Sequence, residues 1–102
     1  MLFKLRNGCA IMMENLQKVI TLAELDLNNE NSEWTKEELE DIVLKEMYEL
    51  RDHFINGEKF FKYGKRQRRL VSTYHISDTL RPLGSTELGK AILALQDIYN
   101  RI

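Results

Sequence analysis

The stretch Trp34-Thr35-Lys36-Glu37-Glu38-Leu39 opens the segment on which the fold is read. Thr35 has the side chain of a helix N-cap. Glu38, three residues on, can reach back to the Thr35 amide, which makes a capping box. Trp34 before the cap and Leu39 beyond it supply a hydrophobic staple, and Glu37, Glu38 and Glu40 suit the positive end of the helix dipole. From there Leu39, Ile42, Val43, Met47, Leu50 and Phe54 recur on one helical face as far as Asn56-Gly57, where glycine can take the left-handed conformation that ends a helix. The pattern predicts a helix from Thr35 to Gly57.

Before this helix, Leu16, Val19, Ile20, Ala23 and Leu27 form one apolar stripe and predict a helix from about Met12 to Leu27. Asn28, Asn29, Asn31 and Ser32 then read as a polar loop, because their side chains compete for backbone hydrogen bonds. After Gly57, Leu70, Val71 and Tyr74 mark one face and Ile76, Leu80 and Leu83 another. They predict a third helix from about Lys65 to Leu80, ended by the restriction that Pro82 places on Arg81. Ser85 is the expected cap of a fourth helix, with Glu87 in its first turn and Leu88, Ile92, Leu95, Tyr99 and Ile102 as its stripe. Four amphipathic helices with short links cover one another's apolar faces as an all-α, antiparallel four-helix bundle. Residues 1–102 form one domain, with 1–12 a frayed extension should translation start at Met12 or Met13.

Composition agrees. The chain has 102 residues, 43% hydrophobic and 30% charged, with a net charge of −1, which is too apolar and too neutral for intrinsic disorder. No apolar run approaches the roughly 20 residues of a membrane span, and Asn7, Gly8 and Glu14 interrupt anything resembling a signal peptide. The single cysteine, Cys9, permits no internal disulfide. It reads as a small apolar filler in a reduced, cytoplasmic protein.

Catalytic and metal signatures fail one by one. The acidic side chains around the second helix (Glu33, Glu37, Glu38, Glu40, Asp41, Glu46, Glu49) lack the inward Glu-x-x-His repeat of bundle metal sites and read as a solvated face. His53 and His75 read as hydrogen-bonded, partly buried residues. Ser72 and Ser77 sit too close to His75 on a helix to form a nucleophile–base pair. Gly84 and Gly89 lack the spacing of a phosphate loop. The expectation is a non-enzyme without cofactor or metal, a monomer or weak dimer.

Charge is distributed unevenly. Residues 1–51 carry 6 basic and 11 acidic side chains, whereas residues 52–102 carry 9 and 5. Within the second half, Lys59, Lys62, Lys65, Arg66, Arg68 and Arg69 are interleaved with Phe60, Phe61 and Tyr63, and no acid falls among them. Basic residues beside aromatics suit phosphates, stacked bases or anionic lipid headgroups. Phe60, Phe61, Lys62, Tyr63, Lys65, Arg66, Arg68 and Arg69 are therefore the candidate partner-binding residues, the other reading being a solvated basic loop that answers the acidic helix. A helix-turn-helix over 74–95 is a weaker nucleic-acid signal, since its second helix offers Lys90 and nothing else to read a base before Gln96. Nucleic acid is thus the less favoured partner.

The layout resembles the small immunity proteins of the enterocin A and pediocin-like bacteriocin group. The resemblance rests on the helix Leu16 to Leu27, the Thr35-to-Gly57 helix with Ile42-Val43 and Met47-Tyr48-Glu49-Leu50, the basic approach to Leu70-Val71-Ser72-Thr73-Tyr74, and the last helix through Ile92, Leu95 and Ile98. It covers residues 13–102 by pattern and spacing. The acidic half and the pI of about 6.1 depart from the often basic members of the group. The resemblance implies a cytoplasmic, non-enzymatic protector whose C-terminal half, here 58–102, recognises a bacteriocin bound to its receptor, the membrane part of a mannose phosphotransferase permease. Peripheral contact with the membrane surface is compatible with that role. The alternative is a small regulatory nucleic-acid-binding or protein-interaction helical domain.

Overall fold

The computed structural model describes residues 2–55 and 69–101, and side chains over 10–55 and 69–101. Helix α1 (Leu2–Leu27) is followed by a π-helical segment (Glu38–Leu44) that runs directly into α2 (Lys45–Ile55). Helix α3 (Val71–Asp78), a 3-10 turn (Leu83–Ser85) and α4 (Glu87–Arg101) complete the order. The described residues are thus all-helical, with no strand. Candidate residues Phe60, Phe61, Lys62, Tyr63, Lys65, Arg66 and Arg68 lie outside the described residues, as does the Asn56-Gly57 stop signal.

Helix α1 is the central element, packed against α4, the π-helical segment and α2. Its predicted stripe is the buried one. Leu16, Val19, Ile20 and Ala23 are in the core, and Met12, one turn earlier, is fully buried on the same face. The helix itself starts at Leu2, ten residues before the expected Met12. Opposite, α4 buries Leu88, Ile92, Leu95 and Tyr99, at the positions its spacing predicted, with Ala91 beside them.

The second helix begins as predicted and then departs from the expected register. Thr35 Oγ1 accepts from the Glu38 amide at 3.2 Å, and Glu38 Oε1 accepts from the Thr35 amide at 2.8 Å, so both halves of the capping box are made. Trp34 and Leu39, the staple pair, are both buried. Between Glu38 and Leu44 the turns are wider than α-helical. An i→i+5 turn places residues four and five apart on one side. Leu39, Val43 and Leu44 are accordingly buried, while Ile42, which a 3.6-residue period places in the core, is only half-buried.

Three boundaries correct the sequence reading. The third helix starts at Val71, because Leu70 is extended (φ −67°, ψ 145°), and it ends before Thr79, also extended (φ −87°, ψ 148°). It therefore stops short of Leu80, while the part of the expected helix from Lys65 to Arg68 lies outside the described residues. The fourth helix is capped by Thr86 and not by Ser85, which belongs to the 3-10 turn. Thr86 Oγ1 accepts from the Gly89 amide at 2.9 Å, the bond that defines the cap.

The 3-10 turn lies directly on α4 at Gly89, where an added Cβ would fall 1.8 Å from the Leu83 carbonyl oxygen. The usual gain in helix propensity from alanine is overridden by that clash. Gly89→Ala is expected to lower stability by about 1–3 kcal/mol, and Thr35→Ala by about 0.5–2 kcal/mol through loss of the cap. Urea unfolding followed by circular dichroism measures both.

Candidate functional site

The main polar cluster is built around one carboxylate. Glu38, in the first turn of the second helix, has a side chain only 8% exposed. Its Oε1 accepts from the Thr35 amide and from Arg81 Nη1 at 3.0 Å. Its Oε2 accepts from Arg81 Nη2 and from His75 Nε2. Arg81 Nη1 also donates to the Glu33 carbonyl at 2.9 Å. The Trp34 indole stands beside His75, with ring centroids 6.2 Å apart. On its other side Trp34 Nε1 donates to Thr86 Oγ1 at 3.0 Å. The Thr86 hydroxyl in turn donates to the Leu83 carbonyl at 2.6 Å, so both its acceptor positions and its proton are used.

Burial alone pushes the Glu38 carboxyl up. The Arg81 guanidinium, the Thr35 amide and His75 outweigh it and hold the group down at about 2. An ionised carboxylate only accepts hydrogen bonds, so His75 presents a protonated Nε2 to it. Every donor aimed at Glu38 is thus spent on it, and the cluster is a clamp between the second helix and the α3–α4 connection.

A second carboxylate, Glu46, lies two turns along. Its Oε2 accepts from the Val71 amide at 2.6 Å, and its Oε1 from the Ser72 amide at 2.9 Å and the Ser72 hydroxyl at 2.7 Å. The preceding Leu70 amide is taken by Gln96 Oε1 at 2.7 Å. These are the amides that a helix start leaves without intrahelical partners. A glutamate of α2 and a glutamine of α4 cap α3 in place of any residue of its own. Burial pushes the Glu46 carboxyl up, and the bonds from Ser72 and Val71 only partly counter it.

Of the predicted partner-binding residues, Arg69 alone falls within the described part. It is exposed, with its guanidinium 5.4 Å from the centre of the half-exposed Tyr74 ring. Val71, 58% exposed, neighbours them in sequence. Reading the acidic residues as one solvated face holds for Glu33, Glu37, Glu40, Asp41 and Glu49, all exposed, and fails for Glu38 and Glu46. His75 is partly buried and hydrogen-bonded, as expected of it. Lys90, the residue the helix-turn-helix reading offered to a base, is exposed, and Gln96 beyond it is buried, its Oε1 accepting from the Leu70 amide. Sequence spacing could not reveal Glu46 and Gln96 as caps, because their partners lie 25 and 26 residues away.

Among the described residues no group of three His, Cys, Asp or Glu side chains could hold a metal ion. No described helix is long and apolar enough to cross a membrane. A cavity of 330 Å³ adjoins Trp34, with Asp26, Asn28, Glu30, Lys36 and Leu39 also in its wall, a mixture of charges that selects no ligand class. Comparison with known proteins returned no matching family model, no matching curated protein and no matching solved structure.

The Glu38 clamp predicts an acid-sensitive fold. Its carboxyl is depressed from 4.5 to about 2, so its contribution is full above pH 4.5 and is lost as pH falls through 2. A shift of that size corresponds to about 3 kcal/mol at most, and solvent screening around Arg81, whose side chain is 41% exposed, lowers it toward about 1 kcal/mol. Glu46, raised by burial, acts in the opposite sense, favouring the fold when protonated. Urea unfolding between pH 7 and pH 2 is expected to show a smaller acid loss in Glu38→Gln than in the wild type. Equal losses would remove Glu38 as the source.

Proposed function

We propose that the protein is a non-enzymatic, cytoplasmic bacteriocin immunity protein, an antiparallel four-helix bundle acting as a monomer or weak dimer. In this reading it protects its cell from a pediocin-like bacteriocin by recognising the peptide bound to its receptor, the membrane part of a mannose phosphotransferase permease. The supporting observation is the exposed Arg69–Tyr74 stack with Val71 beside it in sequence. Arginine and tyrosine are the residue types that dominate binding energy at protein interfaces. Here they stand at the C-terminal end, in sequence, of the basic, aromatic run 59–69. Phe60, Phe61, Lys62, Tyr63, Lys65, Arg66 and Arg68 extend the same surface in the proposal, and their charge also suits peripheral contact with anionic lipid. The Glu38 and Glu46 clusters take no part in recognition. They hold the helix that presents Tyr74.

The test is protection in a bacteriocin-sensitive strain. Expression of the wild type is expected to protect against at least one member of a panel of pediocin-like peptides. Arg69→Glu/Tyr74→Ala and Arg66→Glu/Arg69→Glu are expected to fold and to lose that protection, since charge reversal at a docking surface removes association rate and specificity. Exposed charges contribute only about 0–1 kcal/mol to folding, so loss of fold is not the expected outcome. Absence of protection against every peptide, with salt-sensitive nucleic-acid binding abolished by the same variants, would favour the regulatory nucleic-acid reading instead.

A further inference from the structure

Helix α3 is attached in an unusual way. The buried residues of α3, Ser72 and Thr73, are both polar, while Val71 and Tyr74 point outward. Ile76 supplies partial apolar contact with the core. By contrast α1 and α4 bury rows of aliphatic side chains. What joins α3 to the rest is polar. Glu46 of α2 and Gln96 of α4 hold its first amides, and Glu38 holds His75 in its last turn and Arg81 just beyond. Buried Leu70 and Leu83 fix the chain on either side.

Two features weaken the docked state. The Thr73 hydroxyl is buried without a hydrogen-bond partner, and a buried unsatisfied group is relieved when water reaches it. Burial also pushes the Glu46 carboxyl up, a sign that its desolvation is only partly compensated. A segment with little buried apolar surface and a few polar attachments belongs to the low-stability end of a fold, where opening occurs in discrete units.

We propose that α3 is a strap, pinned at one end by Glu46 and Gln96 and at the other by Glu38, that opens as a unit while α1, α2 and α4 stay folded. Opening releases the Ser72 and Thr73 face to water and frees the segment that carries Arg69, Val71 and Tyr74 to change its position. This holds whatever partner the protein has.

Native-state hydrogen exchange of the full chain at low urea tests the strap. Amides from Thr73 to Thr79 are expected to exchange about tenfold or more faster than the slowest amides of α1 and α4, with one shared urea dependence weaker than theirs, because opening the strap exposes less surface than unfolding the core. Ile92→Val, which weakens only the core, is expected to speed the slow α1 and α4 amides and leave the α3 amides as they are. Glu46→Ala is expected to speed α3 by about tenfold, because the Val71 and Ser72 amides and the Ser72 hydroxyl then lose their acceptor, whereas the exposed Glu40→Ala has no such effect. The proposal is overturned if α3 shares the urea dependence of α1 and α4, if Ile92→Val speeds all three alike, or if Glu46→Ala leaves α3 unchanged. Should Glu46→Ala fail to fold, the urea dependence of the wild type decides.

Discussion

Burying a carboxylate in a small helical protein is unfavourable unless its lone pairs are all met, and the arrangement around Glu38 follows from that requirement. Four donors converge on it from three places in the chain: the Thr35 amide, two nitrogens of Arg81 and His75 Nε2. Each donor settles a local question. Thr35 starts the second helix, His75 orients the last turn of α3, and Arg81 draws the connection before Pro82 onto the loop carbonyl of Glu33. Trp34, next to the cap, then ties the same region to Thr86 and so to the start of α4. A residue that looks like a local capping element is therefore the point at which chain segments more than forty residues apart are joined.

The π-helical segment belongs to the same solution. Glu38 and Glu46 are eight residues apart, and at 3.6 residues per turn they would project about 80° apart around the helix. Wider turns over Glu38–Leu44 advance less per residue and bring the two carboxylates toward one side, where both meet α3 and its flanks. The same widening moves Leu44 into the core and turns Ile42 partly out. Polar pairing with α3 and apolar packing against α1 are met together by one departure from ideal helix geometry.

What was legible in the sequence was what short spacing encodes. The capping box at Thr35, the α1 stripe from Leu16 to Ala23 and the α4 stripe from Leu88 to Tyr99 are periodic or local, and each stands where the spacing placed it. The rest depends on contacts between distant segments. Glu46 reads as one more exposed acid until Val71 and Ser72 are set against it, and Gln96 reads as surface until it meets Leu70. The start of the third helix is hidden because Leu70 and Val71 look like any apolar pair on a helix, whereas Leu70 is held extended by a bond to α4. Thr86 displaced Ser85 as a cap because a 3-10 turn, invisible to periodicity, consumes Ser85. The predicted partner residues from Phe60 to Arg68 lie outside the described residues, so only Arg69 and the neighbouring Tyr74 bear on the candidate surface.

The charge asymmetry of the chain takes on a different meaning once these bonds are placed. An acidic first half and a basic second half suggest mutual neutralisation, but the two inward carboxylates use that possibility sparingly. Among the described residues Glu38 takes one guanidinium, from Arg81, while Glu46 is met by two backbone amides and a hydroxyl. Backbone dipoles at a helix start do for Glu46 part of what the guanidinium does for Glu38, since burial still pushes the Glu46 carboxyl up. The remaining acids of the second helix, Glu37, Glu40, Asp41 and Glu49, face solvent, and Arg69 faces it on α3's side, stacked on Tyr74. Of the described cations of the second half, Arg81 is spent on Glu38 and Arg101 on Asp97 one turn away, whereas Arg69 meets an aromatic face in place of a carboxylate.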